Sequence, residues 1–381
     1  ADTYGPLVYH QLGETPRVYG QQEAYTRFFA DLDEGQQLIR EYLDEGGDNN
    51  KFKEYDMLTN GKTLKEWLKF ANSLRLRLAM RISNVDATLA KDQATKALND
   101  NQGVLEGARE TIAVMGKNYI NPLCAVAGWG EVYMNASMES IVNGYEDPRG
   151  KKWYNTALLE GYQKQLLGIP IGLPMKDGDA NIYSFCSSLN TSTIGEKTGA
   201  VLMSAAEVWL LRAEAALRGY TKENPRTCYE YGVSTSFTQW DCAGASEYLE
   251  SDKTPADYKD VVSGGKVGKD MKALITISPK WEEDADIETK LEKIITQKWL
   301  ACWPESYEAW AEQRRTGYPK LFKVQNNTGK VIDTDIMIRR LPFSTDAATA
   351  DPAQYATLTE KLGGADNGAT RLWWDTGKNS F

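Results

Sequence analysis

The segment at 291–321 constrains the fold of this 381-residue chain more than any other part of the sequence. Apolar side chains recur at helical spacing through 291–302, which predicts an amphipathic helix. Pro304 lacks the amide hydrogen that would let this helix continue. A second stripe through 307–314 predicts another helix, which ends at Gly317 because glycine adopts the backbone conformation of a helix terminus. The segment therefore predicts two consecutive helices separated by a proline.

Helical periodicity also predicts helices at 22–43, 67–83, 86–99, 201–217 and 225–237. In the helix at 67–83 the apolar residues form one stripe, and three arginines lie largely off it, namely Arg75, Arg77 and Arg81. We expect these arginines to form a solvated or ion-paired helix face rather than a ligand site. The chain is therefore predicted to be mainly α.

Helical periodicity weakens over 103–200, where glycine, proline, asparagine and aromatic residues accumulate. Long irregular segments in compact proteins are usually functional or mobile. A second irregular stretch covers 241–286, and the tail from Leu341 onward is predicted to be mostly loop. We therefore expect a single domain over 1–381, made of a helical scaffold at 1–102, an irregular aromatic-rich lobe at 103–200 and a helical scaffold with long loops at 201–381.

Four parts of the chain resemble the signature regions of one protein family. They are YGPLVY at 4–9, WLKFANSLRLRLAMRIS at 67–83, LMSAAEVWLLRAEAALRG at 202–219, and the segment at 291–321 together with IRRLPF at 338–343. In this order they resemble the SusD/RagB family of bacterial outer-membrane lipoproteins. The resemblance implies a SusD-like fold, in which degenerate tetratricopeptide-like helix pairs surround a large irregular lobe that faces the ligand. The regular repeat of such helix pairs, about 34 residues long, is not visible in this sequence.

The resemblance also implies a function at the cell surface. SusD-like proteins capture nutrients, usually glycans, without enzymatic activity, and deliver them to a SusC-type TonB-dependent transporter. Three alternatives stay open from the sequence: a RagB-like peptide receptor, an all-α glycoside hydrolase or lyase, and a scaffold with no small ligand. No cofactor is expected, because the sequence carries no nucleotide-binding fingerprint.

The chain opens on ADTYGPLVY, which has no charged region, no apolar stretch and no lipobox cysteine. In the family that the sequence resembles, a signal peptide, a lipidated cysteine and early helices precede a segment of this kind. We therefore expect the chain to lack its N-terminal part. The resemblance implies that a lipid anchor on the missing cysteine holds the protein at the extracellular face of the outer membrane.

The overall charge narrows the range of ligands. The formal net charge is -9 and the pI is near 5.0. Nucleic acid is excluded as a partner because its phosphates need a basic surface, so neutral or basic ligands fit better. His10 is the only histidine, which leaves little room for a catalytic triad. Paired carboxylates need only be close in space, and for this reason the hydrolase alternative is not removed.

The aromatic residues of the irregular lobe are the main candidates for a binding site. A flat ring presents its π face to the C–H face of a sugar and loses few torsions on binding. The candidate rings are Trp129, Tyr133, Trp153, Tyr154 and Tyr183, with Trp240 as a further candidate outside the lobe. The polar side chains that would select sugar hydroxyls are Asn121, Asn135, Asp147, Arg149, Asn155 and Asn181. The alternative for each ring is that it covers the helical scaffold.

Other distinctive residues are assigned to the scaffold. Three tryptophans on helical stripes are expected in the core, namely Trp299, Trp303 and Trp310. Four arginines are expected to form ion pairs with neighbouring carboxylates rather than a ligand clamp, namely Arg314, Arg315, Arg339 and Arg340.

Metal and disulfide sites are not expected. The DGDAN turn at 177–181 matches the start of an EF-hand loop, but the glycine and the glutamate that complete such a loop are missing. The five cysteines lack the spacing of a zinc site. A bridge between Cys228 and Cys242 is a minor alternative, because only these two lie close in sequence.

Overall fold

The computed structural model describes residues 1–10, 13–59, 61–116, 118–174 and 180–378, which are mostly helical. The α-helices are α1 (Gln21–Asp44), α2 (Leu64–Arg81), α3 (Ala87–Leu98), α4 (Pro122–Ala127), α5 (Ala136–Gly144), α6 (Gly150–Trp153), α7 (Ala205–Leu217), α8 (Pro225–Gln239), α9 (Ala245–Leu249), α10 (Ile287–Ala301), α11 (Ser306–Thr316), α12 (Ala347–Ala350) and α13 (Pro352–Leu362). Short 3-10 helices cover Lys51–Glu54, Ala108–Glu110 and Ile182–Phe185.

In the described part of the chain, four short strands form two small antiparallel sheets. Strand β1 (Leu7–Tyr9) pairs with β2 (Arg17–Tyr19), and β3 (Ile112–Val114) pairs with β4 (Ala200–Met203). Because β3 lies near the start of the irregular lobe and β4 at its end, the second sheet brings the two ends of the lobe together. The chain therefore leaves the helical scaffold at the start of the lobe and returns to it close to the same place.

The predicted helices are all present, with differences at their ends. The helix predicted at 201–217 begins at Ala205, because the residues before it form β4. The tail from Leu341 onward is mostly loop, as expected, but it also contains a helix that was not predicted, α13. Its start carries two ordinary signals that the sequence analysis missed: the Asp351 side chain caps the helix, and Pro352 occupies its first turn.

Apolar side chains of the scaffold and the lobe pack together in the interior of the protein. Helices α2, α3 and α7 enclose a cluster that includes Leu76. Helices α7, α8 and α10 enclose a second cluster, which extends into the lobe through the fully buried Trp153. Close packing of α8 on α7 depends on Gly232, because a Cβ atom there would lie 2.6 Å from the Leu210 side chain. The lobe is thus anchored on the helices.

The most buried face of α2 is not the predicted one. Arg75 and Arg81 are fully buried, whereas Trp67 and Phe70 of the predicted apolar stripe are only half-buried. A buried guanidinium group is stable only where carboxylates and carbonyl oxygens surround it. The expectation that these arginines are ion-paired is confirmed, and the alternative of a solvated face is wrong.

Helix α11 supplies the carboxylates that receive the buried cations. Arg81 donates to Glu308 at 2.5 Å and also to Glu312. Lys298 of α10 lies 2.9 Å from Glu308 and 3.2 Å from Glu312. Arg315 contacts Glu312 at 2.6 Å, and its other carboxylate partner belongs to α7, namely Glu214. This buried ion cluster therefore joins α2, α7, α10 and α11.

The cations of the buried ion cluster keep its carboxylates ionised. Burial alone would raise the pKa of Glu308, but the nearby Arg81, Lys298 and Arg77 lower this pKa to about 2. Because the folded-state pKa lies below the usual glutamate value, the stability that Glu308 contributes is present above about pH 4.3 and is lost as the pH falls towards 2.

The other signature arginines are paired as expected, with one exception. Arg339 contacts Asp375 at 2.7 Å, and Arg340 contacts Asp366 at 2.7 Å. Arg314 instead donates to three backbone carbonyl oxygens, those of Asp2, Trp310 and Arg339.

All five cysteines are free, so the possible bridge between Cys228 and Cys242 does not form. Within the described ranges, no helix has the length and apolar character needed to cross a membrane. The same residues contain no cluster of histidine, cysteine and acidic side chains arranged to hold a metal ion.

Replacing Glu312 by glutamine is expected to destabilise the fold by about 3–5 kcal/mol, because it removes one carboxylate charge from among three buried cations. The free energy of unfolding is measured by denaturant titration monitored by circular dichroism. The matched control is Arg226→Gln, which breaks a pair whose side chains are 48% and 37% exposed and should change stability by less than about 1 kcal/mol. Equal effects of the two substitutions would contradict the role given to the cluster.

Candidate ligand-binding cleft

A cleft of about 310 Å³ lies between the irregular lobe and the segment formed by α10 and α11. The lobe contributes Tyr133, Asn135 and Tyr154, and the helical segment contributes three indole rings. We call this site the aromatic cleft, defined by Tyr133, Asn135, Tyr154, Trp299, Trp303 and Trp310.

Isolated β-bridges within the lobe hold the first wall of the aromatic cleft in place. Tyr133 bridges Ser188 and Tyr154 bridges Leu189, which holds the two tyrosines on adjacent segments. The Asn135 side chain accepts a hydrogen bond of 2.9 Å from the amide of Met138 and so caps α5. Asn135 therefore positions the wall, and its carbonyl oxygen is already engaged within the protein.

Trp303 connects the two walls. Its ring stacks on Trp153 with centroids 5.2 Å apart and contacts Trp240 edge-on at the same distance. Its indole N–H donates to the Tyr154 hydroxyl at 3.1 Å. Since Trp303 is half-buried, one side of its ring is held by the core while the side chain still lines the cleft. The expectation that Trp299, Trp303 and Trp310 are core residues is wrong in part, because all three are half-buried and line the cleft.

Trp129 is the most exposed tryptophan of the sequence-based candidates, with 70% of its surface accessible. It directly precedes Gly130, whose carbonyl oxygen accepts a hydrogen bond of 2.8 Å from the Tyr133 hydroxyl. Trp129 is therefore next in sequence to a residue that contacts Tyr133, and its ring is mostly exposed, although it does not itself line the aromatic cleft.

The remaining ring and cation candidates lie behind the cleft. Trp153, Tyr183 and Arg149 are fully buried, and Trp240 is half-buried against Trp153. Arg149 contacts Asp147 at 2.6 Å, and the Tyr183 hydroxyl donates to an acidic side chain, that of Asp260. These residues pack within the protein and do not line the aromatic cleft.

The other polar candidates are engaged in local structure. Asn121 caps α4 by accepting from the amide of Leu123 at 2.9 Å. Asn155 donates to the carbonyl of Leu189 at 3.1 Å, and Asn181 accepts from the amide of Tyr183 at 3.1 Å. Two residues of the predicted polar turn, Asp177 and Asp179, lie outside the described residues.

Polar side chains of α11 and of the residue that caps it also line the aromatic cleft, namely Glu305, Ser306 and Gln313. The Glu305 carboxylate accepts a hydrogen bond of 2.8 Å from the amide of Glu308. Burial raises the pKa of Glu305 to about 7, with nearby Arg77 opposing the rise and Glu308 and Glu207 adding to it. The sequence analysis missed these residues, because a helical stripe shows which side chains share a face but not which face borders a cavity.

Two larger cavities adjoin the aromatic cleft. An apolar groove of about 680 Å³ is lined chiefly by Tyr307, Trp310, Val324, Ile332, Ile338 and Leu341. A basic pocket of about 470 Å³ is lined by Arg314, Arg339, Arg371, Lys320 and Lys323, among others. Gln313 and Leu321 line all three cavities, so the cavities meet at these two residues.

Comparison with known protein families assigns the chain to a known class. The family model described as "Susd and RagB outer membrane lipoprotein" matches residues 1–375. The chain therefore belongs to the SusD/RagB family of outer membrane lipoproteins, as the sequence predicted. A search of curated protein sequences gave no match.

Solved structures of SusD homologues are similar over the whole chain. A homologue from Bacteroides vulgatus shares 57% identity, with a TM-score of 0.95 over 100% of this chain and 77% of that one. A chitin-binding homologue from Flavobacterium johnsoniae shares 36% identity, with a TM-score of 0.92 over 100% of this chain and 78% of that one. The predicted mainly α, SusD-like fold is thus confirmed. The tetratricopeptide-like arrangement and the division into three regions stay predictions.

The difference in unfolding free energy between Glu305→Gln and the wild-type protein is expected to change with pH. Because the pKa of Glu305 is raised in the folded state, its stabilising contribution is present below about pH 4.3 and is lost as the pH rises through 7. Glutamine does not titrate, so the variant should gain stability relative to the wild type between pH 5 and 8. Denaturant titrations at several pH values measure this, with the exposed Glu54→Gln as a control. A difference independent of pH would contradict the assignment.

Proposed function

We propose that this protein binds an oligosaccharide in the aromatic cleft, without cleaving it. The observation that carries the proposal is the composition of the cleft, where indole and phenol rings from two separate elements stand beside carboxyl, hydroxyl and amide groups. Sugar rings need both an aromatic face for their C–H groups and polar partners for their hydroxyls. Glu305, Ser306 and Gln313 are placed to provide those polar partners.

Family membership supports the proposal independently. A homologue that is 36% identical over the whole chain is described as chitin-binding. That description applies to the homologue, and we extend to this protein only the broader class of glycan ligands. The three indole rings of the cleft offer several stacking positions, which suits a chain of sugars.

In this proposal Trp129 makes the first contact and the cleft completes the binding. An exposed indole can stack on a sugar without a conformational change. The family further supports attachment to the outer membrane through a lipid anchor and delivery of the ligand to a SusC-type TonB-dependent transporter. No covalent step is proposed for any residue of the cleft.

The apolar groove favours a second candidate function, peptide binding of the RagB type. Its wall is mainly aliphatic and aromatic, and such a surface suits apolar amino-acid side chains better than sugar hydroxyls. Competition between glycans and peptides for the same protein separates the two functions.

Replacing Trp129 by alanine is expected to weaken glycan binding about tenfold, which corresponds to about 1.4 kcal/mol of lost stacking. Affinity electrophoresis through gels cast with neutral polysaccharides, chitin oligosaccharides included as competitors, measures the affinity. Released sugars are analysed in parallel to detect any cleavage.

The matched control for this experiment is Tyr55→Ala, which removes an aromatic side chain that is 61% exposed elsewhere on the surface. It should leave the affinity unchanged. An unchanged affinity in a folded Trp129→Ala variant would contradict the place of Trp129 in the site, and retention of peptides alone would favour the second candidate.

A further inference from the structure

The basic pocket continues the ligand site at the C-terminal end of α11. It shares Gln313, Leu321 and Met337 with the apolar groove, and the first two also line the aromatic cleft. A ligand that extends from the cleft past Gln313 can therefore reach a cavity of about 470 Å³ with a different chemical character.

Cationic side chains dominate the surface of this pocket. Lys320, Lys323 and Arg371 have side chains that are 49%, 52% and 34% exposed, so their charged groups reach solvent. Behind them, Arg314 and Arg339 are buried. The five residues bring positive charge to one cavity of a protein whose net charge is -9.

The carboxylates nearby do not balance these charges one for one. Asp375 is shared by Arg339 and Arg371, at 2.7 Å from each. Lys320 has Glu292 at 3.4 Å, and Lys323 is paired with an acidic residue of the pocket wall, Asp335. Two of the five cations thus share one carboxylate. The fifth cation is Arg314.

Of the five cations named above, Arg314 is the one that forms no ion pair with a carboxylate among the described residues. Its hydrogen bonds go to backbone carbonyl oxygens, and its guanidinium group packs 3.6 Å from the ring centroid of Trp310. Burial lowers the pKa of Arg314 and the neighbouring charges of Arg81 and Arg339 lower it further, while the carboxylates of Asp2 and Asp375 oppose this shift in part. An anion that enters the pocket would relieve this unfavourable environment.

The wall of the basic pocket also contains a residue with a strained backbone. Met337 lines both the apolar groove and the basic pocket, and its φ angle of 57° lies in the left-handed region that side-chain-bearing residues rarely adopt. Strained backbone persists where the surrounding structure holds it, and such residues cluster at ligand sites.

We propose that the basic pocket is an anion subsite, so that the glycan bound in the aromatic cleft carries a carboxylate or sulfate group that contacts Lys320, Lys323 and Arg371. The inference rests on the proposed glycan-binding function and names the class of glycan as acidic. The overall negative charge does not oppose it, because charges more than about 10 Å away are largely screened in salt and the pocket residues act at contact distance.

Two matched pairs of polymers test the subsite by affinity electrophoresis: polygalacturonate with its methyl ester, and dextran sulfate with dextran. The first pair changes only a carboxylate and the second only a sulfate. The wild-type protein should be retarded at least about fivefold more strongly by the charged member of one pair, and less so as salt is added. The pair that discriminates identifies the anionic group.

A double variant, Lys320→Gln with Arg371→Gln, should lose this preference at least about fivefold. The matched control is Arg226→Gln with Lys272→Gln, which changes the net charge equally at exposed positions outside the pocket and should keep the preference. Retardation by neutral glycans alone, or equal loss in both double variants, overturns the anion subsite and leaves glycan binding standing. No retardation by any polysaccharide overturns the proposed function and the subsite together.

Discussion

Ion pairing between charged side chains of α11 and buried charged side chains of three other helices is the interaction on which the structure depends. Glu308, Glu312 and Arg315 recur at helical spacing on one face of α11 and meet partners from α2, α7 and α10. Trp310 and Gln313 recur on the opposite face and line the cavities. Because a buried charge is stable only with its partner in place, the cluster fixes α11 and thereby one wall of the aromatic cleft.

Much of the fold could be predicted because helical periodicity and helix-ending residues are local properties of the sequence. The helices that became α1, α2, α3 and α8 were placed within a few residues of their observed ends. The burial of Arg75 and Arg81 could not be predicted in this way, because helical periodicity assigns apolar side chains to the buried face and charged side chains to the exposed face. The partners of Arg81 lie more than two hundred residues further along the chain, so only the tertiary structure shows that the charge is satisfied.

The aromatic character of the candidate site could be predicted from the sequence better than the residues that line it. Tyr133, Asn135 and Tyr154 of the predicted set line the aromatic cleft, and the exposed Trp129 precedes them in the chain. Trp153 carries the same sequence signal but fills the core, because the lobe folds back on α8 and α10. The second wall belongs to Trp303 and Trp310, whose helical spacing pointed to burial. Composition identified an aromatic site, whereas the choice between core and cleft depended on contacts distant in sequence.

The most direct test of glycan binding in the aromatic cleft is NMR of protein labelled with ¹⁵N-tryptophan, titrated with a polysaccharide fragment that the protein retains in affinity gels. Each indole N–H gives its own signal, and the assigned signals locate the ligand among the 11 tryptophans. The account predicts that the signals of Trp129, Trp303 and Trp310 shift, while that of Trp209, which stacks on Tyr231 and does not line the cleft, does not. Shifts confined to tryptophans outside the cleft, or no shifts at saturating ligand, would contradict it.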